Sequence, residues 1–366
     1  MSHMTFRPNW VSPPGETILA ILESRSISFH SFCQSIELDT GEAAGLISGE
    51  RAIDKELAFR ISAQLGSTPH FWLERQRQFQ EIQGELAAQR PALDEWFRTF
   101  PIRVMQQMGW FPKSNNPNEA PSELLDFFGV ASIEEWRERY VSRLGRTNFR
   151  TSAAFENSVA ATTAWIRRGE LLADSIDCGI WDRKGFEGCL LGLKPLSLLP
   201  DPKEFLPKLQ RECAKYGVAV IVQRCPSGCA ASGATILLES SRQLLLLSAR
   251  FLSDDQFWFS FFHEAGHIVL HGKEPSVEEE GAVSPENEDE ANAFARDVIL
   301  WPLGYEAMQS MKISKYSIAR FARKCDIAPG VIVGQLQKIN RVSQAAYNPF
   351  KTRYKTTDFS PESEQA

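Results

Sequence analysis

Long hydrophobic runs are missing from this 366-residue chain: no apolar stretch reaches the roughly 18 residues that a membrane-crossing helix needs. No membrane is therefore expected among its partners. A basic stretch followed by an apolar core is also missing at the N-terminus, so nothing there marks secretion and a cytoplasmic location is expected. Ser2-His3-Met4 looks like a cloning scar and stays outside the fold argument. Positive charge is not in excess, since 40 Lys and Arg stand against 46 Asp and Glu for a net charge of -6. That excludes a wholly basic nucleic-acid coat and leaves room for a local DNA-binding patch. Seven cysteines, an odd number in a long chain, argue against a secreted disulfide scaffold. There is no internal repeat and no long low-complexity run. What is present, 43% hydrophobic and 23% charged residues, can bury a sizeable core. The length corresponds to about two to three domains.

Residues 14 to about 83 are dense in short helical patterns. Pro14 suits a helix N1 position and puts Ile18, Leu19 and Leu22 on one face. Ser28 opens a second helix with Phe29, Phe32 and Ile36, and Asp39-Thr40 cap a third that runs to Ile47 and stops near Gly49. Asp54 caps a fourth, containing Leu57, Ile61 and Leu65, and Thr68-Pro69 opens a fifth through Phe71, Trp72, Leu73 and Phe79. The expected domains are 5–83, a helical middle region at 84–200 interrupted by the loop 112–118, a third at 201–345, and a polar tail at 346–366. In the third, a helix with Leu206, Leu209 and Cys213 precedes a buried strand at 218–222, and two more strands follow at 235–238 and 244–247. A long apolar helix from Asp254 to about His271, an acidic loop at 274–286 and further helices complete it. The fold class expected is α+β, mostly helical, with one small β-sheet.

The sharpest chemical signal is His263-Glu264-Ala265-Gly266-His267 within that apolar helix. Spacing of i and i+4 places both imidazoles on one face, where they can bind a single metal ion, with zinc expected. Glu264, beside the ion and not ligating it, is the candidate general base towards water. The motif arises by chance in about one per cent of such chains. A surface helix with incidental histidines is the alternative, and the apolar flanks Phe257, Trp258, Phe259, Phe261, Phe262, Ile268, Val269 and Leu270 speak against it. A catalytic zinc takes three protein ligands. His271 stands about 12 Å along the helix from His263, too far to share the ion, and is expected to be structural or to support a ligand. Glu288 on the next helix is the expected third ligand, with Glu290 in reserve. Asn292, four residues on and on the same face as Glu288, is expected to orient a ligating histidine.

These residues carry a resemblance. The run Tyr216-Gly217-Val218-Ala219-Val220, Ser232-Gly233-Ala234-Thr235, Asp254-Asp255-Gln256-Phe257-Trp258-Phe259 and His263-Glu264-Ala265-Gly266-His267-Ile268-Val269-Leu270-His271 resembles the ImmA/IrrE family of zinc metallopeptidases. Glu288-x-x-Ala291-Asn292-x-Phe294-Ala295 is similar to that family's second motif. Pro14-Gly15-Glu16-Thr17-Ile18-Leu19, Ile47-Ser48-Gly49-Glu50-Arg51 and Phe71-Trp72-Leu73 resemble the helix-turn-helix domain of HigA-type antitoxins. The resemblance implies an N-terminal five-helix helix-turn-helix domain joined to a C-terminal zincin-like metallopeptidase domain. It also implies a protein that cleaves, or is paired with, a transcriptional repressor or antitoxin in stress, phage-induction or defence circuits. Residues 85–200 share the resemblance, through Phe127-Phe128-Gly129-Val130 and Trp165-Ile166-Arg167-Arg168-Gly169-Glu170, without an assigned chemistry.

In a helix-turn-helix the second helix lies in the major groove, which makes Thr40, Glu42, Ala43 and Arg51 the candidate DNA contacts. Residues 5–83 hold seven basic and ten acidic side chains, a poor balance for phosphate neutralisation. Operator DNA, a partner protein of the same fold, and a homodimer formed through this domain all stay open. Cys225 and Cys229, four apart around Pro226-Ser227-Gly228, are a zinc pair, a redox pair or incidental loop cysteines. A thiolate from this loop could also cap the metal. Residues 318–322 and 328–337 read as a further helix pair that packs near the long apolar helix. Two functions compete: a zinc endopeptidase acting on one protein, and an antitoxin-like regulator that binds DNA and a toxin without proteolysis.

Overall fold

Short, well-capped helices open the chain in the computed structural model, which describes residues 12–113, 116–144, 153–248, 250, 252–272, 276–277 and 285–359. They are α1 (Pro14–Ser24), α2 (Phe29–Ser35), α3 (Thr40–Ser48), α4 (Lys55–Leu65) and α5 (Pro69–Arg98). The caps follow from side-chain chemistry. Ser28 accepts from the Ser31 amide, Asp54 accepts from that of Leu57, and Asp39 and Glu42 form a reciprocal capping box. Ile18, Phe32, Ile36, Leu46, Ile61 and Trp72 close the core between these helices. A Cβ at Gly15 would stand 2.2 Å from the Ile47 Cα, so α1 rests directly on the α3 backbone only because this position is glycine.

Helix α5 runs unbroken through Gly84 and Pro91, past the boundary expected at 83. Beyond it come α6 (Ile102–Gln107), α7 (Ala120–Phe128), α8 (Ile133–Trp136), α9 (Ala153–Ala173), α10 (Arg183–Leu193) and α11 (Pro202–Ala214). The described chain forms two compact units, one made of residues up to Phe97 together with Asn116–Ala131, the other of the remainder. The helical middle region is thus divided between them.

The second unit is built around a sheet of β1 (Val218–Val222), β2 (Gly233–Leu237), β3 (Gln243–Leu247) and β4 (Ser276–Val277), in the order β1-β3-β2-β4. Strand β1 is parallel to β3, while β2 is antiparallel to both β3 and β4. Strand β4 falls within the stretch expected to be an acidic loop; the rest of 273–284 lies outside the described residues. All side chains of β1 and β3 are buried, as expected of strands covered on both faces. Alternation explains how. Val218, Val220, Leu245 and Leu247 join one core with Phe257, Trp258, Phe261 and Phe262 of α12 (Asp254–His271). Leu246 touches Gly169 of α9, where a Cβ would stand 2.6 Å from its Cδ2, and the Trp165 indole of α9 donates to the Gln223 carbonyl at 2.6 Å. Residues assigned no chemistry in the middle region therefore wall the sheet.

Helices α13 (Pro285–Leu300), α14 (Tyr305–Ser310), α15 (Lys315–Lys324) and α16 (Pro329–Lys338) follow. Gly330 and Gly334 let α16 lie against the start of α12: added Cβ atoms would stand 2.4 Å from Asp254 Oδ2 and 2.7 Å from the Asp255 Cβ. Part of the expected polar tail at 346–366, as far as residue 359, packs against the second unit. Lys351 Nζ reaches Asp255 Oδ2 at 2.6 Å, the Tyr354 amide donates to the Leu252 carbonyl, and Phe359 stacks on Phe257 at 5.6 Å. One buried ion pair and two aromatic rings outweigh the polar composition of this segment. Residues 360–366 lie outside the described part.

Candidate metal centre

Helix α12 is buried along most of its length because Phe257, Trp258, Phe261, Phe262, Ala265, Ile268 and Val269 all enter the core. The two histidines and the glutamate of the motif go under with them: His263, Glu264 and His267 are 1%, 0% and 2% exposed. Buried polar groups of this kind need partners, and α13 brings one. It crosses α12 where Gly266 meets Ala291, a Cβ on the glycine coming within 3.3 Å of the alanine Cα and 3.1 Å of Phe294 Cδ1. The absent side chain at Gly266 thus lets Glu288 reach the histidines.

His263 Nε2 lies 3.3 Å from Glu288 Oε2, His267 Nε2 lies 3.4 Å from Glu288 Oε1, and the two Nε2 atoms are 3.1 Å apart. Zinc bonds of about 2.0–2.1 Å in tetrahedral geometry put neighbouring ligand atoms about 3.3–3.4 Å apart. The two Nε2 atoms stand close to that spacing, each within 3.4 Å of a different oxygen of the Glu288 carboxylate, and the set supplies the borderline N and O donors that zinc accepts. The donor set fits the ion. Among the described residues, this is the one group of three or more His, Cys, Asp or Glu so converged.

The electrostatics suit ligation as well. Burial lowers the pKa of His267, favouring the neutral imidazole that can bind a metal. Burial pushes the Glu288 carboxyl upwards, but hydrogen bonds from His263 and His267 outweigh it and hold the group at about 2. Glu264 occupies the next position round the helix, its carboxyl packed against Gly233 at the start of β2, where a Cβ would come within 2.2 Å of Oε1. Any larger residue at 233 would collide with it.

The remaining expected residues fall elsewhere. His271 is outside the triad; its Nδ1 lies 3.4 Å from His267 Nδ1 and its Nε2 lies 3.0 Å from Glu290 Oε2. Glu290, the reserve ligand, thus pairs with His271. Asn292 makes no hydrogen bond to either ligating histidine among the described residues, and the orienting contact to His267 comes from His271 instead. The helix crossing at Ala291 turns Glu288, and not Asn292, towards the imidazoles. In the first unit, Thr40 and Glu42 are exposed at the start of α3, and Glu42 is held by Arg51 at 2.6 Å. Ala43 is fully buried in that unit's core, which corrects its candidacy as a DNA contact. It lies on the inward face of α3, as does Leu46. Cys225 and Cys229 stand together in the loop between β1 and β2 and are not part of the triad.

Glu288→Ala is expected to weaken zinc binding by more than the roughly 10–100-fold that loss of an outer partner costs. Because burial keeps His267 neutral, the unaltered chain is expected to hold zinc as pH falls past about 6.5, histidine's ordinary value, and to release it only further down. Equilibrium dialysis of both proteins between pH 8 and 5 checks this; release at pH 6.5 or above would contradict it.

Residues 219–307, from β1 into α14 and including His263, Glu264, His267 and Glu288, match the peptidase M78, IrrE N-terminal-like, domain. Over 72 residues, 20% of its length, the chain is 29% identical to an uncharacterized HTH-type transcriptional regulator, YddM, of Escherichia coli (strain K12), and that match takes in 77% of the regulator. The chain thus carries, at 219–307, a segment similar to IrrE N-terminal-like peptidase domains, and over 72 residues it is similar to an HTH-type regulator.

Proposed function

We propose that this chain is a zinc-dependent endopeptidase that cleaves a peptide bond in one specific regulatory protein, a transcriptional repressor or an antitoxin, within a stress or phage-defence circuit. The observation that carries the reading is the convergence of His263, His267 and Glu288 on one point, with Glu264 buried in the same helical turn. Three protein ligands leave a coordination position open, the arrangement of a hydrolytic site as opposed to a closed structural one. When bound, zinc supplies Lewis-acid polarisation of the scissile carbonyl and makes water acidic enough to give up a proton near neutral pH. Glu264 takes that proton from the attacking water and delivers it to the departing amine. A purely structural ion has no use for such a group. The decisive comparison incubates wild type and Glu264→Gln with the proteins encoded beside the gene. Cleavage by the wild type alone supports the proposal, and indistinguishable behaviour of the two overturns it.

The N-terminal unit serves in this proposal as the module that recognises the partner protein. Arg51 is paired with Glu42, Arg60 with Glu37 and Glu56, and Arg77 with Glu74 and Glu81, while Arg75 donates to Ser12. Three of the six described basic side chains within residues 5–83 are thus paired with carboxylates, which lowers the positive charge offered to phosphates. A gel shift with the gene's upstream DNA at about 0.15 M salt is expected to show no specific complex; a shift would restore operator DNA as a partner.

A further inference from the structure

Six residues separate Cys225 from Ser232, and the loop they bound does more than join β1 to β2. Its ends are pinned: the Gln223 amide donates to the Leu247 carbonyl at 2.9 Å, and the Ser248 amide donates to the Ser232 carbonyl at 3.0 Å. Arg250 Nη1 holds the Ala230 carbonyl at 2.6 Å. Inside this frame the chain makes a tight turn. The Cys229 amide donates to the Pro226 carbonyl at 3.2 Å, with Gly228 at φ +93°, a conformation that glycine adopts without strain. The turn folds the sequence Cys225-Pro226-Ser227-Gly228-Cys229 back on itself and leaves the two sulfurs 3.0 Å apart. A disulfide bond is about 2.0 Å long, so about 1 Å of approach separates this pair from a covalent link.

We propose that Cys225 and Cys229 form a reversible disulfide, which makes the β1–β2 loop an oxidation site of this chain. Accessibility fits: both residues are half-buried, whereas Cys33, Cys213 and Cys325 are buried. Two sulfurs alone fall short of the four ligands of a structural zinc site, and among the described residues neither belongs to a metal-sized cluster. The proposal goes beyond the peptidase reading and does not depend on it.

With hydrogen peroxide as oxidant the balance is simple. Burial, reinforced by the neighbouring sulfur, holds Cys225 as the thiol. Cys229 is then the attacking sulfur: it bonds to one peroxide oxygen as the O–O bond breaks, and its proton leaves with the departing hydroxide as water, giving a sulfenic acid. The Cys225 sulfur then attacks the sulfenic sulfur, forming the S–S bond and expelling a second water. Two thiols are oxidised by two electrons and one peroxide is reduced; a dithiol reductant reverses the change. The loop enters β2 at Gly233, against the Glu264 carboxyl, so the site adjoins the metal centre through the chain.

The experiment uses the full chain, reduced, exposed to a slight excess of hydrogen peroxide and read by intact mass, thiol titration and peptide mapping. The expected result is loss of two hydrogens and a fall from seven titratable thiols to five. Trypsin should then yield one peptide, Cys225–Arg242, lighter by two hydrogens, and dithiothreitol should restore it. Cys225→Ser should stop at a sulfenic acid on Cys229 that dimedone traps, and Cys229→Ser should lose the mass shift while keeping the parent's circular dichroism. Stepwise oxygen addition without hydrogen loss overturns the proposal. So does a link mapped to Cys178, Cys189 or Cys213, or a second zinc ion bound by the reduced chain and absent from the doubly substituted one.

Discussion

Glu264→Gln is expected to leave zinc binding and thermal stability unchanged and to slow cleavage of the partner protein about 10²–10⁴-fold. The amide has the size and planarity of the carboxylate it replaces, which matters because Glu264 is fully buried and its carboxyl lies against Gly233. What the change removes is the capacity to take a proton from water. An interaction used only in the transition state affects kcat and kcat/KM together and leaves KM unaltered. A second variant separates this from a packing effect. Gly233→Ala forces a Cβ to within 2.2 Å of Oε1, displacing the carboxylate without deleting it, so it should slow cleavage less than Glu264→Gln, which removes the proton acceptor outright. A variant that cleaves at the wild-type rate with the wild-type pH profile would place proton transfer on another group.

The difference between what could be read from the residues and what could not is one of range. The i, i+4 pair His263 and His267 lies within one helix, and a carboxylate at a helix start, Glu288, needs only one loop to return to it; both are local patterns. The caps at Ser28, Asp39 and Asp54 are more local still, and each forms as its chemistry implies. The mostly helical α+β class was legible for the same reason. Of the two supporting residues expected, His271 does lie against His267, and Asn292 does not. Asn292 has the right spacing from Glu288, but whether it reaches an imidazole depends on the angle at which α13 crosses α12, and that angle is set by the contact of Gly266 with Ala291. Ala43 illustrates the same limit within α3, because its neighbours Glu42 and Thr40 are exposed while it faces the core. The boundary expected at 83 falls inside α5, which continues through Gly84 and Pro91, since local punctuation yields where tertiary packing holds a helix together. Trp72 and Trp96 of α5 are among its buried side chains.

A long-range feature is also the one with the largest expected effect on stability. Lys351→Met is expected to destabilise the second unit by about 3–5 kcal/mol, because it strands a buried carboxylate. The Asp255 side chain is 2% exposed and that of Lys351 is 9% exposed, at a contact of 2.6 Å across 96 residues of sequence. The ammonium group also donates to Gln337 Oε1 at 2.6 Å, and Gln337 Nε2 donates to the Ala346 carbonyl and to Asn348 Oδ1. Through this network the segment after α16 is fastened to the first turn of the helix that carries both histidines. Replacing both charged partners, as Asp255→Leu with Lys351→Met, should recover much of the loss, since a matched apolar pair carries no desolvation cost. Urea denaturation of the three proteins measures both effects, read as midpoint shifts at constant slope. Because the strap ends on the metal-bearing helix, Lys351→Met should also lower the urea concentration at which bound zinc is released. A single variant as stable as the parent would mean that the C-terminal segment does not hold that helix in place.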